Sequence, residues 1–116
     1  MEAWKMELEA EFLRAERARR RGNEGQARVC ARRASGIAIR EYLARRGTRL
    51  PHLGAYDLLK LLKNDPALSP DLAPLVDHLT LRVTEEFKLP IDADLVAEAR
   101  LLCIALLPDW ENPVVE

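Results

Sequence analysis

Apolar side chains recur every three or four residues along most of this chain, and this helical period constrains its fold more than any other feature. No stretch shows the sustained apolar–polar alternation of a half-buried strand. The first helix is predicted over residues 2–21, with Gly22 as its stop. Its inward face consists of Trp4, Leu8, Phe12 and Ala15.

A second predicted helix starts near Asn23 or Glu24 and runs to Arg46, with Gly47 ending it. Its inward stripe is made mostly of small residues, which lets a neighbouring helix approach closely. Gly36 in mid-helix costs up to about 1 kcal/mol relative to alanine, so it marks either a tight crossing or a contact surface. The stripe consists of Ala27, Cys30, Ala31, Ala34, Ala38 and Tyr42.

Three more helices follow a connection that contains Pro51. A short helix is predicted over residues 55–63. The fourth begins with Ser69 as N-cap and Pro70 as its first residue, and ends at Lys88-Leu89-Pro90. Its stripe consists of Leu72, Leu75, Val76, Leu79, Val83 and Phe87. Asp92 is the expected cap of the last helix and Pro108 its stop, and the face of that helix consists of Leu95, Val96, Ala99, Leu102, Cys103 and Leu106.

Together these segments predict an all-α fold, an antiparallel four-helix bundle with one additional short helix. The 116 residues are expected to form one domain, with residues 108–116 as a C-terminal tail. Trp110 in this tail is a large apolar ring that needs a covering surface. That surface is either its own bundle or a second subunit.

The charges are divided unevenly along the chain, although the net charge is only −1. Residues 14–49 contain twelve arginines and three glutamates, whereas residues 50–116 contain five basic and twelve acidic residues. Two interpretations follow. The arginines contact phosphates, for which the guanidinium is the best bidentate donor. Alternatively, they are solvated, or they pair with the acidic half of the same or a neighbouring subunit.

The sequence contains no sign of a catalytic or metal site: it has no nucleophile with an adjacent base, no glycine-rich phosphate loop and no metal-spaced cluster. We therefore expect no metal and no cofactor. Cys30 and Cys103 lie in apolar helical stretches without CxxC spacing, which indicates reduced core thiols and a cytoplasmic protein. No apolar run approaches the length needed to cross a bilayer, so no membrane association is expected.

Four segments, in this order and spacing, resemble the HEPN family (higher eukaryotes and prokaryotes nucleotide-binding) over roughly residues 4–107. They are an early helix ending at Gly22, the stretch 27–34 leading to Arg40 and 42–47, the leucine-rich 56–62, and Leu89-Pro90 opening into 96–100. The resemblance implies an antiparallel bundle that forms a homodimer. It also implies a role in nucleotide binding or RNA cleavage, or beside a minimal nucleotidyltransferase, as in toxin–antitoxin pairs.

RNA-cutting members of this family carry an arginine and a histidine four to six residues apart, late in the bundle. Here the only pairs with that spacing are Arg45 or Arg46 with His52, between the second and third predicted helices. We therefore expect the protein not to be an enzyme. Cleavage by Arg46 and His52 is a minor alternative.

The function predicted from the sequence is a non-catalytic, HEPN-like domain that binds a nucleotide or RNA through its arginine-rich helix. The alternative is a protein-interaction module whose basic face meets an acidic partner, such as a minimal nucleotidyltransferase. The expected phosphate donors are Arg28, Arg32, Arg33, Arg40 and Arg45.

Overall fold

The computed structural model describes residues 2–81 and 92–110, and all regular structure within these ranges is helical. The predicted all-α class is therefore confirmed. A 3₁₀ turn at Pro70–Leu72 directly precedes a seven-residue helix, the fourth in the chain. The helices are α1 (Ala3–Arg20), α2 (Glu24–Ala44), α3 (Ala55–Lys63), α4 (Ala73–Leu79) and α5 (Leu95–Leu106).

Glycines end the first two helices, as predicted. Gly22 and Gly47 have φ angles of 77° and 86°, in the left-handed region that glycine enters without steric cost. Asn23 caps α2, since its side-chain oxygen accepts a hydrogen bond from the Gln26 backbone N–H at 3.1 Å. The predicted bounds of α1 are correct to within one residue at each end, and α3 has its predicted bounds.

Helix α2 is the centre of the fold, because it packs against α1, α3 and α5, while α4 packs against α3 and α5. The small residues predicted to face inward on α2 are buried, and only Tyr42 remains half-exposed. Its neighbours contribute the larger side chains of the shared core, for example Leu8 from α1, Leu59 from α3 and Leu102 from α5. Small residues on the central helix thus face large residues on the surrounding ones.

Gly36 lies at a tight crossing, which is one of the two roles expected for it. A β-carbon built on Gly36 would lie 2.8 Å from the Ala55 Cβ and 2.9 Å from the Ala55 Cα, at the first residue of α3. Real side chains do not approach so closely. The start of α3 can therefore reach α2 only because position 36 has no side chain.

The predicted length of the fourth helix is wrong. Helix α4 ends at Leu79, and the Thr80 hydroxyl donates to the carbonyls of Val76 at 3.2 Å and Asp77 at 2.9 Å. Threonine thus bonds to the backbone of the last turn, as short polar side chains do at helix ends. Val83 and Phe87, which were expected on the same helix, lie outside the described residues.

The caps of the last two helices also differ from the prediction. Ser69 makes no side-chain cap. Asp94, rather than Asp92, caps α5 and accepts a hydrogen bond from the Ala97 backbone N–H at 3.1 Å. The position directly before the first helical turn is the one that can reach its free N–H groups, and Asp92 lies two residues too early. The six residues predicted on the inward face of α5 are all buried.

Trp110 packs on its own chain. Its ring stacks on Phe12 of α1 with centroids 5.3 Å apart, and 8% of the residue is exposed.

Both cysteines are free thiols in the core, and burial raises the pKa of Cys103 to about 12. A thiol with so high a pKa is unreactive at neutral pH, consistent with the predicted core role.

Replacement of Gly36 by alanine is expected to lower the free energy of unfolding by about 1–3 kcal/mol, because the added methyl group collides with Ala55 backbone and side chain. Gly25→Ala in the same helix is the matched control, since a β-carbon there meets only the Asn23 side chain, at 3.8 Å. Urea denaturation of both variants measures the difference. Equal stabilities of G36A and G25A would contradict the tight crossing.

Candidate functional site

Arg32, one of the five predicted phosphate donors, caps the end of α4. Its Nε donates to the Leu79 carbonyl and its Nη2 to the Leu81 carbonyl, both at 2.9 Å. The guanidinium is half-buried, and this burial lowers the pKa of Arg32. The last carbonyls of a helix need external donors, and a cation also complements the negative end of the helix dipole. Arg32 thus joins α2 to α4.

Arg45, at the end of α2, is held by carboxylates of its own chain. Its Nη1 and Nη2 each lie 2.9 Å from an oxygen of Asp109, and its Nε lies 2.9 Å from Glu41. These hydrogen bonds, first that to Asp109 and then that to Glu41, raise the pKa of Arg45. The guanidinium also lies 5.3 Å from the Trp4 ring centroid. Arg45 therefore links the turn at residues 108–110, which we call the C-terminal turn, to the bundle.

Arg40 and Arg28 are each half-buried, with an unused donor. The Arg40 Nη2 donates to the Leu53 carbonyl at 2.9 Å, in the connection before α3. In the described part of the chain, the Nε atoms of Arg40 and Arg28 are buried and have no hydrogen-bond partner. A buried N–H without an acceptor is unfavourable by roughly 1–3 kcal/mol, so these two groups can gain from a ligand that supplies one.

Arg33 differs from the other four, because it is exposed and no residue that the structure describes forms a hydrogen bond or ion pair with it. It lines a cavity of about 190 Å³ together with Arg40. Of the predicted donors, the structure thus brings Arg33 and Arg40 to one cavity and uses Arg32 and Arg45 elsewhere.

This cavity adjoins a second one, of about 340 Å³, and the two share Glu11 and Ile37 as lining residues. We call the combined depression the α1–α2 groove. Its walls come from the first half of α1, the middle of α2 and the first residue of α3. It is lined by Met6, Glu7, Ala10, Glu11, Arg14, Arg33, Gly36, Ile37, Arg40 and Ala55.

Glu11 is the groove residue that the sequence analysis missed. It is only 9% exposed, and among the described residues its Oε1 has no hydrogen-bond partner. The Arg14 Nη1 lies 3.4 Å from that oxygen, an ion-pair distance, but the Arg14 side chain is 59% exposed. Helical spacing in the sequence could have indicated its burial, because Glu11 lies three residues after Leu8 and four before Ala15, within the stripe that α1 buries.

Some of the other arginines in residues 14–49 pair with acids of the same chain. Arg19 bonds Glu24 at the start of α2 and Asp94 at the start of α5, with shortest distances of 2.6 and 2.9 Å, and these bonds raise the pKa of Arg19. Arg46 lies 3.4 Å from Asp65. For Arg19, Arg45 and Arg46 the alternative expected from the sequence, pairing with acids inside the subunit, is thus correct.

The minor alternative, RNA cleavage by Arg46 and His52, requires these two residues to act together. The Arg46 guanidinium lies over the Tyr42 ring, 4.5 Å from its centroid, and pairs with Asp65. His52 is exposed in the turn between α2 and α3. No hydrogen bond joins His52 to Arg46 within the described ranges, so the geometry offers this alternative no support.

A further cavity, of about 460 Å³, lies between α1 and the C-terminal turn, and its lining includes Glu9 and Glu16. Its one cation, Arg100, lies 4.5 Å from the Phe12 ring centroid and 3.6 Å from Glu16. Two glutamates in the lining and an arginine that already pairs with one of them do not suit a phosphate.

Across residues 2–81 and 92–110, no His, Cys, Asp and Glu side chains form a cluster that could hold a metal ion, and no helix has the length and apolarity to cross a membrane.

Comparisons with known proteins give no family: no protein-family model matches the chain, and no curated protein or solved structure matches it significantly. The HEPN resemblance therefore stays a prediction from the sequence.

Replacement of Arg32 by methionine should lower the free energy of unfolding by about 2–3 kcal/mol, because it removes two charge-assisted hydrogen bonds and leaves two carbonyls without a donor. Arg33→Met, which makes the same change on the exposed side of the helix, should stay within about 0.5 kcal/mol of the wild type. Chemical denaturation compares them. Similar losses in both variants would refute the capping role of Arg32.

Proposed function

We propose that this protein is a non-catalytic, HEPN-like helical module that binds the phosphate of a nucleotide or of RNA in the α1–α2 groove. The observation that carries the proposal is that Arg33 and Arg40 border one cavity with donors that no described residue uses. Two guanidinium groups converging on a concave site are the arrangement that a phosphate prefers.

The two arginines would share the phosphate unequally. Arg33 has its whole guanidinium available and can bind two phosphate oxygens side by side. Arg40 is already oriented by its bond to the Leu53 carbonyl, so little side-chain entropy is lost when its Nε finds an acceptor. Arg14 adds a third cation at the other end of the groove.

The rest of the groove suits the apolar faces of a nucleoside. Met6, Ala10 and Ile37 line the larger cavity, and Gly36 and Ala55 contribute small residues to the lining of the smaller one. Ligand sites are typically concave and mostly apolar, with a few polar groups that fix orientation. Five of the ten residues that line the α1–α2 groove are uncharged and five are charged, so apolar contact surface lies beside groups that can fix the orientation of a ligand.

The HEPN resemblance adds a homodimer and a nucleotidyltransferase partner in the cytoplasm to this proposal. Light scattering coupled to size-exclusion chromatography measures the mass of the purified protein directly. A mass of twice 13.2 kDa supports the dimer, and a mass of 13.2 kDa contradicts it.

Arg33→Glu is expected to weaken binding of labelled single-stranded RNA at least tenfold and to reduce the salt slope by about 0.7, the value for one phosphate contact on a single strand. Arg49→Glu is the matched control, because Arg49 is equally exposed, lies outside the groove and undergoes the same charge reversal. Fluorescence anisotropy at several salt concentrations gives both quantities.

Equal losses in R33E and R49E would mean that RNA senses only the overall charge, and would overturn the groove as the site. If the wild type binds neither RNA nor nucleoside monophosphates at low salt, the phosphate proposal itself fails. The acidic protein partner then becomes the better explanation of the arginine-rich helix.

A further inference from the structure

The α1–α2 groove contains a buried acid that a site for phosphate alone would not need. Glu11 lines both of its cavities and is more than nine-tenths buried. A carboxylate beside a phosphate site opposes anion binding by charge repulsion. Its presence between the cations therefore points to a second group on the ligand, one that donates hydrogen bonds.

The Glu11 carboxylate is incompletely satisfied by the protein. Its buried Oε1 has no hydrogen bond within the described residues, and a buried acceptor without a donor is unfavourable. The one cation near this oxygen, on Arg14 at 3.4 Å, belongs to a side chain that is mostly exposed. Glu11 is buried in this pair whereas Arg14 is not, so the Arg14 guanidinium can turn into solvent when a ligand supplies another donor to the carboxylate.

The carboxylate can be reached from the larger cavity. Met6 and Arg14 line this cavity with Glu11, and both are more than half exposed, with Met6 at 58%. Long, exposed side chains change rotamer at little energetic cost. Ala10 and Ile37 line the same cavity and offer an apolar surface to the face of a flat ring.

Among the nucleobases, guanine best matches a carboxylate, because its N1–H and N2–H donors are adjacent and parallel. They can bind the two carboxylate oxygens together, as a guanidinium does. Adenine and cytosine each offer one exocyclic amine beside an acceptor nitrogen, which would face a carboxylate oxygen unfavourably. Uracil offers a single N–H between two carbonyl oxygens.

We propose that the groove is selective for guanine, with Glu11 binding the N1–H and N2–H edge of the base while Arg33 and Arg40 hold the phosphate. This inference rests on the proposed phosphate-binding function and names the ligand class of the same site. The expected ligand is a guanosine monophosphate, free or as a nucleotide within single-stranded RNA.

Isothermal titration of the full chain with GMP, AMP, CMP and UMP tests the inference. We expect GMP to bind at least tenfold more tightly than the other three. In Glu11→Gln the amide replaces one acceptor by a donor, so the affinity for GMP should fall to the level of AMP. Glu9→Gln is the matched control: it removes the same charge from an exposed position of the same helix outside the groove, and it should retain the preference for GMP.

Glu11→Asp is a second variant that separates a loss of binding from a loss of folding, because it retains the charge and only shortens the reach of the carboxylate. We expect it to weaken GMP selectively while the melting temperature and the affinity for AMP stay near those of the wild type. Equal affinities of the wild type for all four nucleotides would overturn the guanine inference and leave phosphate binding standing. Retained GMP preference in Glu11→Gln would also overturn it. Absence of mononucleotide binding with RNA binding retained would overturn the guanine inference alone, whereas absence of both would overturn the proposed function.

Discussion

The close packing of small residues along α2 is the constraint on which the rest of the structure depends. Ala27, Ala31 and Ala34 are fully buried, and position 36 lacks even a β-carbon, so α1, α3 and α5 can all approach the same helix. Apart from Ile39, the fully buried side chains of α2 are small. The arginines of α2 are therefore confined to its flanks and its outer side, and the α1–α2 groove forms where the outer side meets α1 and the start of α3.

The burial of each arginine decides what it does. A half-buried guanidinium needs acceptors, because a charge removed from water without partners is strongly unfavourable. Arg32 finds them in the last carbonyls of α4, and Arg40 finds one in the connection before α3. Arg33, which faces solvent, has no such need. The arginines of one helix thus have two roles: some donate to carbonyl groups of the same chain, and others keep their N–H donors free. Only the free donors are available to a ligand.

The sequence predicted the helices whose apolar period is strong and whose ends carry glycine, and it failed where local side chains compete with the backbone. Thr80 ends α4 inside a continuous apolar stripe, and Asp94 replaces Asp92 as a cap, because both choices depend on hydrogen-bond geometry within one turn. For the site, spacing along α2 shows which way an arginine points. It cannot show which carbonyl or carboxylate of a distant segment lies there, as with Arg45 and Asp109.

The stack of Trp110 on Phe12 joins the two ends of the described chain. Trp110 follows Phe12 by 98 residues, so during synthesis the aromatic face of α1 leaves the ribosome well before the ring that covers it. Closure of such a distant contact is slow, because most of the chain must be ordered before it forms. Until Trp110 has been synthesised and docked, the aromatic face of α1 therefore stays uncovered, as an exposed apolar surface of the nascent chain.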